Sequence, residues 1–284
     1  MKIGKYNLST LHTGYIGLDG GAMFGVVPKA LWEKTNPPDE KNRITVSTKL
    51  LLLESGKRKI LVDTGTGENW KEKFSDIYRL DNSEFSISKS LAEKNISADD
   101  ITDVIFTHLH FDHAGGSVVK EGDKFVPAFP NAVYHVQEKH LQWAKAPSDK
   151  DKASFISERF LPLEEEGLLK LWKGEVQLDD EIMLIPDHGH TFFQQLVKIS
   201  DGNRTLLHTA DLIPLTSHIP LPYIMAYDIM PLETLKHKKE LLDKAVEEDW
   251  ILYFQHDPYF SSASVQRDPK GYSAKEKFNE LPND

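Results

Sequence analysis

The stretch Thr107-His108-Leu109-His110-Phe111-Asp112-His113-Ala114-Gly115-Gly116 places four metal-binding side chains within six positions. Just upstream, Ile101-Thr102-Asp103-Val104-Ile105-Phe106 is largely β-branched and apolar, the composition of a buried strand. The histidines therefore fall where a strand ends and a loop begins. On an extended turn the side chains of His108 and His110 point the same way and can grip one ion. Asp112 and His113 follow after the chain bends, and their offset aims a carboxylate and an imidazole at a second position nearby. Ala114-Gly115-Gly116 offers no bulk against a sharp turn, glycine tolerates the positive φ such turns often need, and a helix has room to start there. One short loop can thus feed two metals, an arrangement that points to metal-assisted hydrolysis.

A dinuclear site needs more ligands than one loop holds. Three later apolar runs also lead into candidates: residues 181–186 precede Asp187-His188-Gly189-His190-Thr191, residues 205–210 precede Asp211, and residues 250–255 precede His256-Asp257-Pro258. His188 and His190 share one turn, and either can reach a metal. His12, His135, His140 and His237 read as ordinary surface or core histidines, and His208 as a buried, hydrogen-bonded imidazole inside a strand. Asp187 and Asp257 read as turn or supporting residues rather than ligands.

Strand and helix signals alternate along the chain: strands at 46–53, 59–62 and 101–106 with a helix at 86–95 between the last two, then strands at 176–177, 182–185, 196–199 and 205–207 and a helix at 232–247. This is a layered α/β pattern, and 284 residues with 39% hydrophobic content suit one catalytic domain over 1–284. The chain has no cysteine, so every metal ligand must be nitrogen or oxygen. With 44 acidic against 34 basic residues the net charge is −10, which leaves no electrostatic footprint for nucleic acid. Lys57-Arg58-Lys59 reads as a hairpin tip and Lys236-His237-Lys238-Lys239 as a solvated helix face. No stretch approaches a membrane span, and the N-terminus lacks a basic-then-apolar signal, which points to the cytoplasm. The expected partner is a small molecule, and the sequence is compatible with a homodimer.

Taken in order, these motifs resemble the metallo-β-lactamase superfamily pattern: His-x-His-x-Asp-His, a His in a Gly-His-Thr-like turn, a bridging Asp, and a final His. The resemblance spans about residues 45 to 260. Gly20-Gly21-Ala22-Met23-Phe24-Gly25-Val26-Val27-Pro28 and Ala226-Tyr227-Asp228 look like the branch containing quorum-quenching lactonases and methyl-parathion-hydrolase-like enzymes. The resemblance implies an α/β four-layer αββα sandwich. It also implies that His108, His110 and His190 bind one metal, that Asp112, His113 and His256 bind a second, and that Asp211 bridges them. The ions it implies are two divalent cations, Zn²⁺ first, with Mn²⁺, Fe²⁺ or Co²⁺ as alternatives. Val62-Asp63-Thr64-Gly65 resembles the family's Asp-Thr-Gly turn, which makes Asp63 either a support that hydrogen-bonds a ligand or a strand-to-turn cap. His188 is expected to orient a ligand through a hydrogen bond.

Two departures stand out. Gly189-His190-Thr191-Phe192-Phe193-Gln194 replaces the Gly-His-Thr-Pro-Gly-His of many relatives, and Pro214 occupies the place of a lactonase tyrosine three residues after the bridging aspartate. Tyr223, Tyr227 or His218 is expected to fill that tyrosine's role.

The reading that follows is a dinuclear-metal hydrolase in which a metal-bridging hydroxide attacks a small apolar ester or lactone. Asp112 would pass a proton to the leaving oxygen. Met23, Phe24, Trp32 and Phe193 would supply apolar substrate surface, and the charged segment 138–167 is either a lid over the mouth or a surface helix pair. The alternative substrate is a phosphotriester. Less favoured readings are a di-iron oxidoreductase, which usually has a glutamate where His110 stands and carries a flavin domain, and a non-catalytic binding protein, which tends to lose ligands that are all present here.

Overall fold

The computed structural model describes residues 1–282, and its order of strands follows from how the apolar residues alternate. In chain order the strands are β1 (Lys2–Ile3), β2 (Tyr6–Leu11), β3 (Tyr15–Asp19), β4 (Arg43–Ser47), β5 (Leu50–Ser55), β6 (Arg58–Val62), β7 (Asp103–Ile105), β8 (Val118–Glu121), β9 (Lys124–Pro127), β10 (Val133–Gln137) and β11 (Leu169–Trp172). The second half adds β12 (Val176–Gln177), β13 (Ile182–Asp187), β14 (Gln194–Ser200), β15 (Thr205–His208), β16 (Ile251–Tyr253), β17 (Ser262–Asp268) and β18 (Gly271–Phe278). One seven-stranded sheet runs β1-β2-β5-β6-β7-β10-β11, and a second runs β12 through β18 in sequence order.

Leu50, Leu51, Leu52 and Leu53 are all fully buried, which a strand allows only when both of its faces are covered. Leu51 and Leu53 join Ile60, Val62 and Ile105 against Leu184, Val197 and Leu206 of the second sheet, forming the core between the sheets. Leu50 and Leu52 face the other way, into a core shared with Leu91, Leu141 and Leu163 of the helices outside the first sheet. The second sheet's outer face packs Leu207, Leu252 and Val265 against Leu242 and Ala245 of the helix Pro231–Glu247. The result is four layers, αββα. No helix among the described residues is long and apolar enough to cross a membrane.

Three local expectations change and one is extended. The strand predicted over 46–53 is broken at Thr48-Lys49, so that β4 leaves to pair with β3 while β5 enters the first sheet. The break is imposed from outside: Ser47 and Lys49 donate their amides to His256 O and Gln255 O, and Thr48 donates to Gly14 O. Lys57-Arg58-Lys59 does lie at the tip of the β5–β6 hairpin, with Lys57 in its turn, but Arg58 also bridges the two sheets, donating to Asp103 of β7 and to Asp179 beyond β12. Lys238 is fully buried rather than solvated, its ammonium held by the carbonyls of Pro220 and Tyr223. Burial pushes its pKa down to about 7. Finally, the helix after the histidine cluster begins at Phe111, ahead of the glycines. Gly115 and Gly116 do not serve a positive φ but a close approach: a Cβ there would stand 2.1 Å from Thr66 O or 2.2 Å from Thr64 O.

Candidate metal centre

β6, β7, β13, β15 and β16 end on one side of the sandwich, and their C-terminal loops converge there. His108, His110, Asp112 and His113 follow β7, His190 follows β13, Asp211 follows β15, and His256 follows β16. All seven side chains are buried. Their donor atoms form overlapping groups: His108 with His110 and His190, His108 with His113 and Asp211, and Asp112 with His113 and His256. Asp211 stands between the groups. Its Oδ2 lies 3.3 Å from His190 Nε2 and 3.9 Å from His108 Nε2, while its Oδ1 lies 3.1 Å from His256 Nε2 and 3.4 Å from His113 Nε2. Asp112 sits further out, with Oδ2 3.7 Å from His256 Nε2 and 3.9 Å from His113 Nε2.

Hydrogen bonds on the far side of each ring fix which nitrogen faces inward. Asp63 accepts from the Thr107 amide and hydroxyl and from His113 Nδ1, at 2.7, 2.7 and 2.8 Å. Because the Thr107 hydroxyl gives its hydrogen to Asp63, its oxygen accepts from His108 Nδ1 at 3.0 Å. His256 Nδ1 donates to Ser47 O, and His190 Nδ1 to Asp228 Oδ1. The inward nitrogens of His108, His113, His190 and His256 are therefore unprotonated in the neutral rings. Yet His113 Nε2 faces His256 Nε2 at 3.0 Å, and His190 Nε2 faces His110 Nδ1 at 3.1 Å. The first contact sets lone pair against lone pair in the neutral rings, which repel unless a proton or a metal ion lies between them, whereas no outer bond fixes the His110 tautomer and its Nδ1 can donate to His190 Nε2. His108 Nε2 and Asp211 Oδ1 also have no hydrogen-bond partner despite full burial.

The electrostatics call for the same positive charge. Burial works against a charged His113, but Asp211, Asp112 and Asp63 outweigh it and draw its pKa well above the ordinary value. Burial alone would raise the Asp211 carboxyl, yet His256, His113 and His190 hold it well below the usual range. Burial and the neighbouring imidazoles keep His108 and His110 neutral, with pKa values well below the ordinary one. Nitrogen ligands at ~2.0–2.1 Å from a tetrahedral ion stand about 3.3 Å from one another, which is the scale of the separations here. An all-nitrogen-and-oxygen donor set of this charge fits two divalent cations.

The centre floors a cleft of about 270 Å³. Its walls are Leu18, Ala22, Met23, Tyr78, Phe111, Met225, Ala226 and Tyr227, with Lys150, Asp151 and Ser154 at one lip and Asp112 facing in beside the ligands. Of the residues expected to bind substrate, Met23 lines this cleft. Phe24 does not: it is buried beneath it, stacked between Trp32 and His218. His218 is likewise buried, with Nε2 bound to Met23 O, and Tyr223 sits edge-on to Phe24 behind the wall. Phe193 lies outside, against His188. Of the residues considered for the missing tyrosine at Pro214, only Tyr227 lines the cleft, and Tyr78 joins it.

His188 orients no ligand. Its Nδ1 accepts from the Phe193 amide because the turn carries its ring to the half-buried outer side. The residue holding His190 is Asp228, whose other oxygen accepts from Thr234. Asp228 belongs to a quoted motif, but nothing in its sequence spacing marks a partner 38 residues away. His140 is no bystander either: its Nε2 accepts from the Leu109 amide between two ligands, and its Nδ1 donates to Phe192 O. Burial keeps it neutral by pushing its pKa down to about 4. Part of segment 138–167 does reach the mouth. Ser154 O accepts from the Phe111 amide, and Phe155 packs 4.6 Å from His110.

Comparison with known proteins places these features in a family. A family model described as the metallo-beta-lactamase superfamily matches residues 46–256, well over half of the chain. No curated protein sequence matches. Among solved structures, a probable metal-dependent hydrolase from Staphylococcus aureus is 28% identical, with a TM-score of 0.89 over 98% of each chain. AidC, a dizinc quorum-quenching lactonase in complex with a product, is 22% identical, with a TM-score of 0.78 over 100% of this chain and 96% of its own. An N-acyl homoserine lactone hydrolase with N-hexanoyl-L-homoserine bound at its catalytic metal centre is 23% identical, with a TM-score of 0.67 over 91% of this chain and 95% of its own. The family model, in agreement with the αββα sandwich, establishes that the chain belongs to the metallo-β-lactamase superfamily of metal-dependent hydrolases.

Proposed function

We propose that the protein hydrolyses a small, uncharged, apolar ester or lactone at a dinuclear centre. His108, His110 and His190 would hold one ion, Asp112, His113 and His256 the other, and Asp211 both. The observation that carries this reading is the pairing of Asp211, one oxygen toward each histidine group, with a cleft whose walls are chiefly apolar. When bound, a pair of divalent ions, zinc in this proposal, supplies Lewis acidity that makes water nucleophilic near neutral pH and stabilises developing negative charge.

The chain's own residues do the rest. Leu18, Met23, Phe111 and Met225 exclude water and favour a hydrocarbon substituent over a charged one. Lys150, the one lysine or arginine among the described residues lining the cleft, has its three donors engaged by main-chain carbonyls, so no free ammonium awaits an anionic substrate there. Asp112, held at longer range than Asp211, faces the cleft where it can accept a proton and return it to the leaving oxygen. AidC and the N-acyl homoserine lactone hydrolase hold products of lactone opening, which supports a lactone among the substrates to test.

The test is to count metals per chain by elemental analysis and to screen acyl-homoserine lactones, simple lactones, aryl carboxyl esters and aryl phosphotriesters. His108→Ala and Asp211→Ala serve as controls. Two metals and turnover of a neutral ester or lactone that both variants abolish is the expected result. Preference for the phosphotriesters would move the assignment to that class, and two bound metals with no turnover of any substrate would reject it.

A further inference from the structure

Lys150 sits at the tip of the loop that forms one lip of the cleft, and its side chain crosses to the other lip. Its ammonium donates to three successive carbonyls, Ala226 O at 2.9 Å, Tyr227 O at 2.7 Å and Asp228 O at 3.1 Å. An ammonium has three hydrogens, so the set is complete and none remains for a ligand. The loop it springs from is itself built. Asp151 is buried and accepts from Trp143 Nε1 and from the Ser148 hydroxyl, and Ser154 O receives the Phe111 amide in the histidine-bearing loop. The receiving segment is equally connected: Asp228, whose carbonyl takes the third bond, holds His190 Nδ1 with its carboxylate. A covalent path of one residue thus joins the Lys150 contact to a candidate ligand.

We propose that Lys150 is a positioning residue that staples the two lips of the cleft across its mouth and steadies the His190 side of the centre. It touches no reacting atom. By fixing Ala226 and Tyr227 opposite Asp151 and Ser154 it sets the width of the opening, and by fixing the Asp228 backbone it limits how far the His190 ring can swing. Three charge-assisted bonds on one side chain tie the lips directly, and the residue that carries them is exposed and belongs to none of the core clusters.

The test uses Lys150→Met, which keeps the hydrocarbon stem and removes all three donors, in the full-length zinc-loaded protein. Hydrogen–deuterium exchange read without substrate is expected to accelerate in both 146–156 and 222–230. Competition with a chelator is expected to release one of the two zinc equivalents about tenfold more readily and leave the other unchanged. On an ester or lactone that the wild type turns over, measured at saturating zinc so that both ions stay bound, KM is expected to rise about tenfold with a smaller fall in kcat, because the wall moves while Lys150 itself touches no reacting atom. Exchange unchanged in 222–230 overturns the staple, and equal release of both zinc equivalents overturns its link to His190. The zinc-release arm and the kinetic arm rest on the function proposed above, whereas exchange is read without turnover. A protein that hydrolyses nothing but exchanges faster in Lys150→Met keeps the staple and loses the function, and the opposite result keeps the function and loses the staple.

Discussion

Phe193 has φ of 57°, in the left-handed region, at the position where the family pattern reads glycine. A Cβ in that conformation crowds the following carbonyl and costs roughly 1–2 kcal/mol. The ring offsets part of this by packing 4.3 Å from His188 and lying under the Lys139 ammonium. Alanine and glycine both delete the ring, but only glycine deletes the Cβ. Phe193→Gly is therefore expected to be more stable than Phe193→Ala by about 1 kcal/mol, the reverse of the usual order, which calorimetry would show as a melting point about 2 °C higher. An alanine variant that melts at or above the glycine one would show that the turn carries no such strain. Asp228 makes a second prediction. It fixes the His190 ring through Nδ1, so Asp228→Ala is expected to weaken metal binding about 10- to 100-fold in chelator competition, with the fold unchanged by circular dichroism. Unaltered affinity would mean that the ring is held by packing alone.

The helix Pro231–Glu247 shows how one element supports the centre from behind. Successive residues on its inner face each hold a different loop: Thr234 bonds Asp228, His237 bonds Asp187, and Lys238 bonds the carbonyls of Pro220 and Tyr223. The hydrogen bond that His237 Nδ1 donates to Asp187 draws the His237 pKa upward, against the effect of burial. A histidine raised in the folded state stabilises fully below its unfolded value of roughly 6.5 and loses that contribution as pH climbs through the folded value. The melting-point gap between the wild type and His237→Gln is thus expected to be wider at about pH 6 than at about pH 9, and a constant gap would remove the ion pair from the account. This helix was legible from its apolar spacing, but its function was not. Lys236-His237-Lys238-Lys239 reads as solvated because periodicity weighs charge as exposure, while Lys238 is buried by carbonyls from a loop with no local signature. Strand 46–53 failed for a similar reason, since the bonds that split it come from residues 255 and 256.

Across the whole molecule the two sheets meet at both ends, joined by Arg58 between Asp103 and Asp179 at one and bringing the candidate ligands together at the other. The ligand end was readable because its signal is local: four donors at fixed offsets after one strand, and single donors after three more. The groups that orient those donors were less so. Asp63 was visible in its turn motif, whereas His140, Lys150 and Asp228 act across long sequence separations that only the packed sheets bring together. The first sheet contributes His108, His110, Asp112 and His113, and the second His190, Asp211 and His256, so bound ions would join the layers as well as serve chemistry. Without them His113 Nε2 faces His256 Nε2 at 3.0 Å, lone pair to lone pair in the neutral rings. That repulsion is relieved by separating the sheets' ends or by taking up protons, so the metal-free protein is expected to loosen there first. A metal held at about a thousandfold above its dissociation constant stabilises the fold by about 4 kcal/mol. Stripping with a chelator should therefore lower the melting point by about 8 °C or more, with recovery on adding zinc. Hydrogen exchange should rise at 107–116, 187–193 and 255–258 and stay unchanged around Arg58. Equal melting with and without the chelator, in protein shown to have lost its metal, would mean that packing alone closes the sandwich at that end.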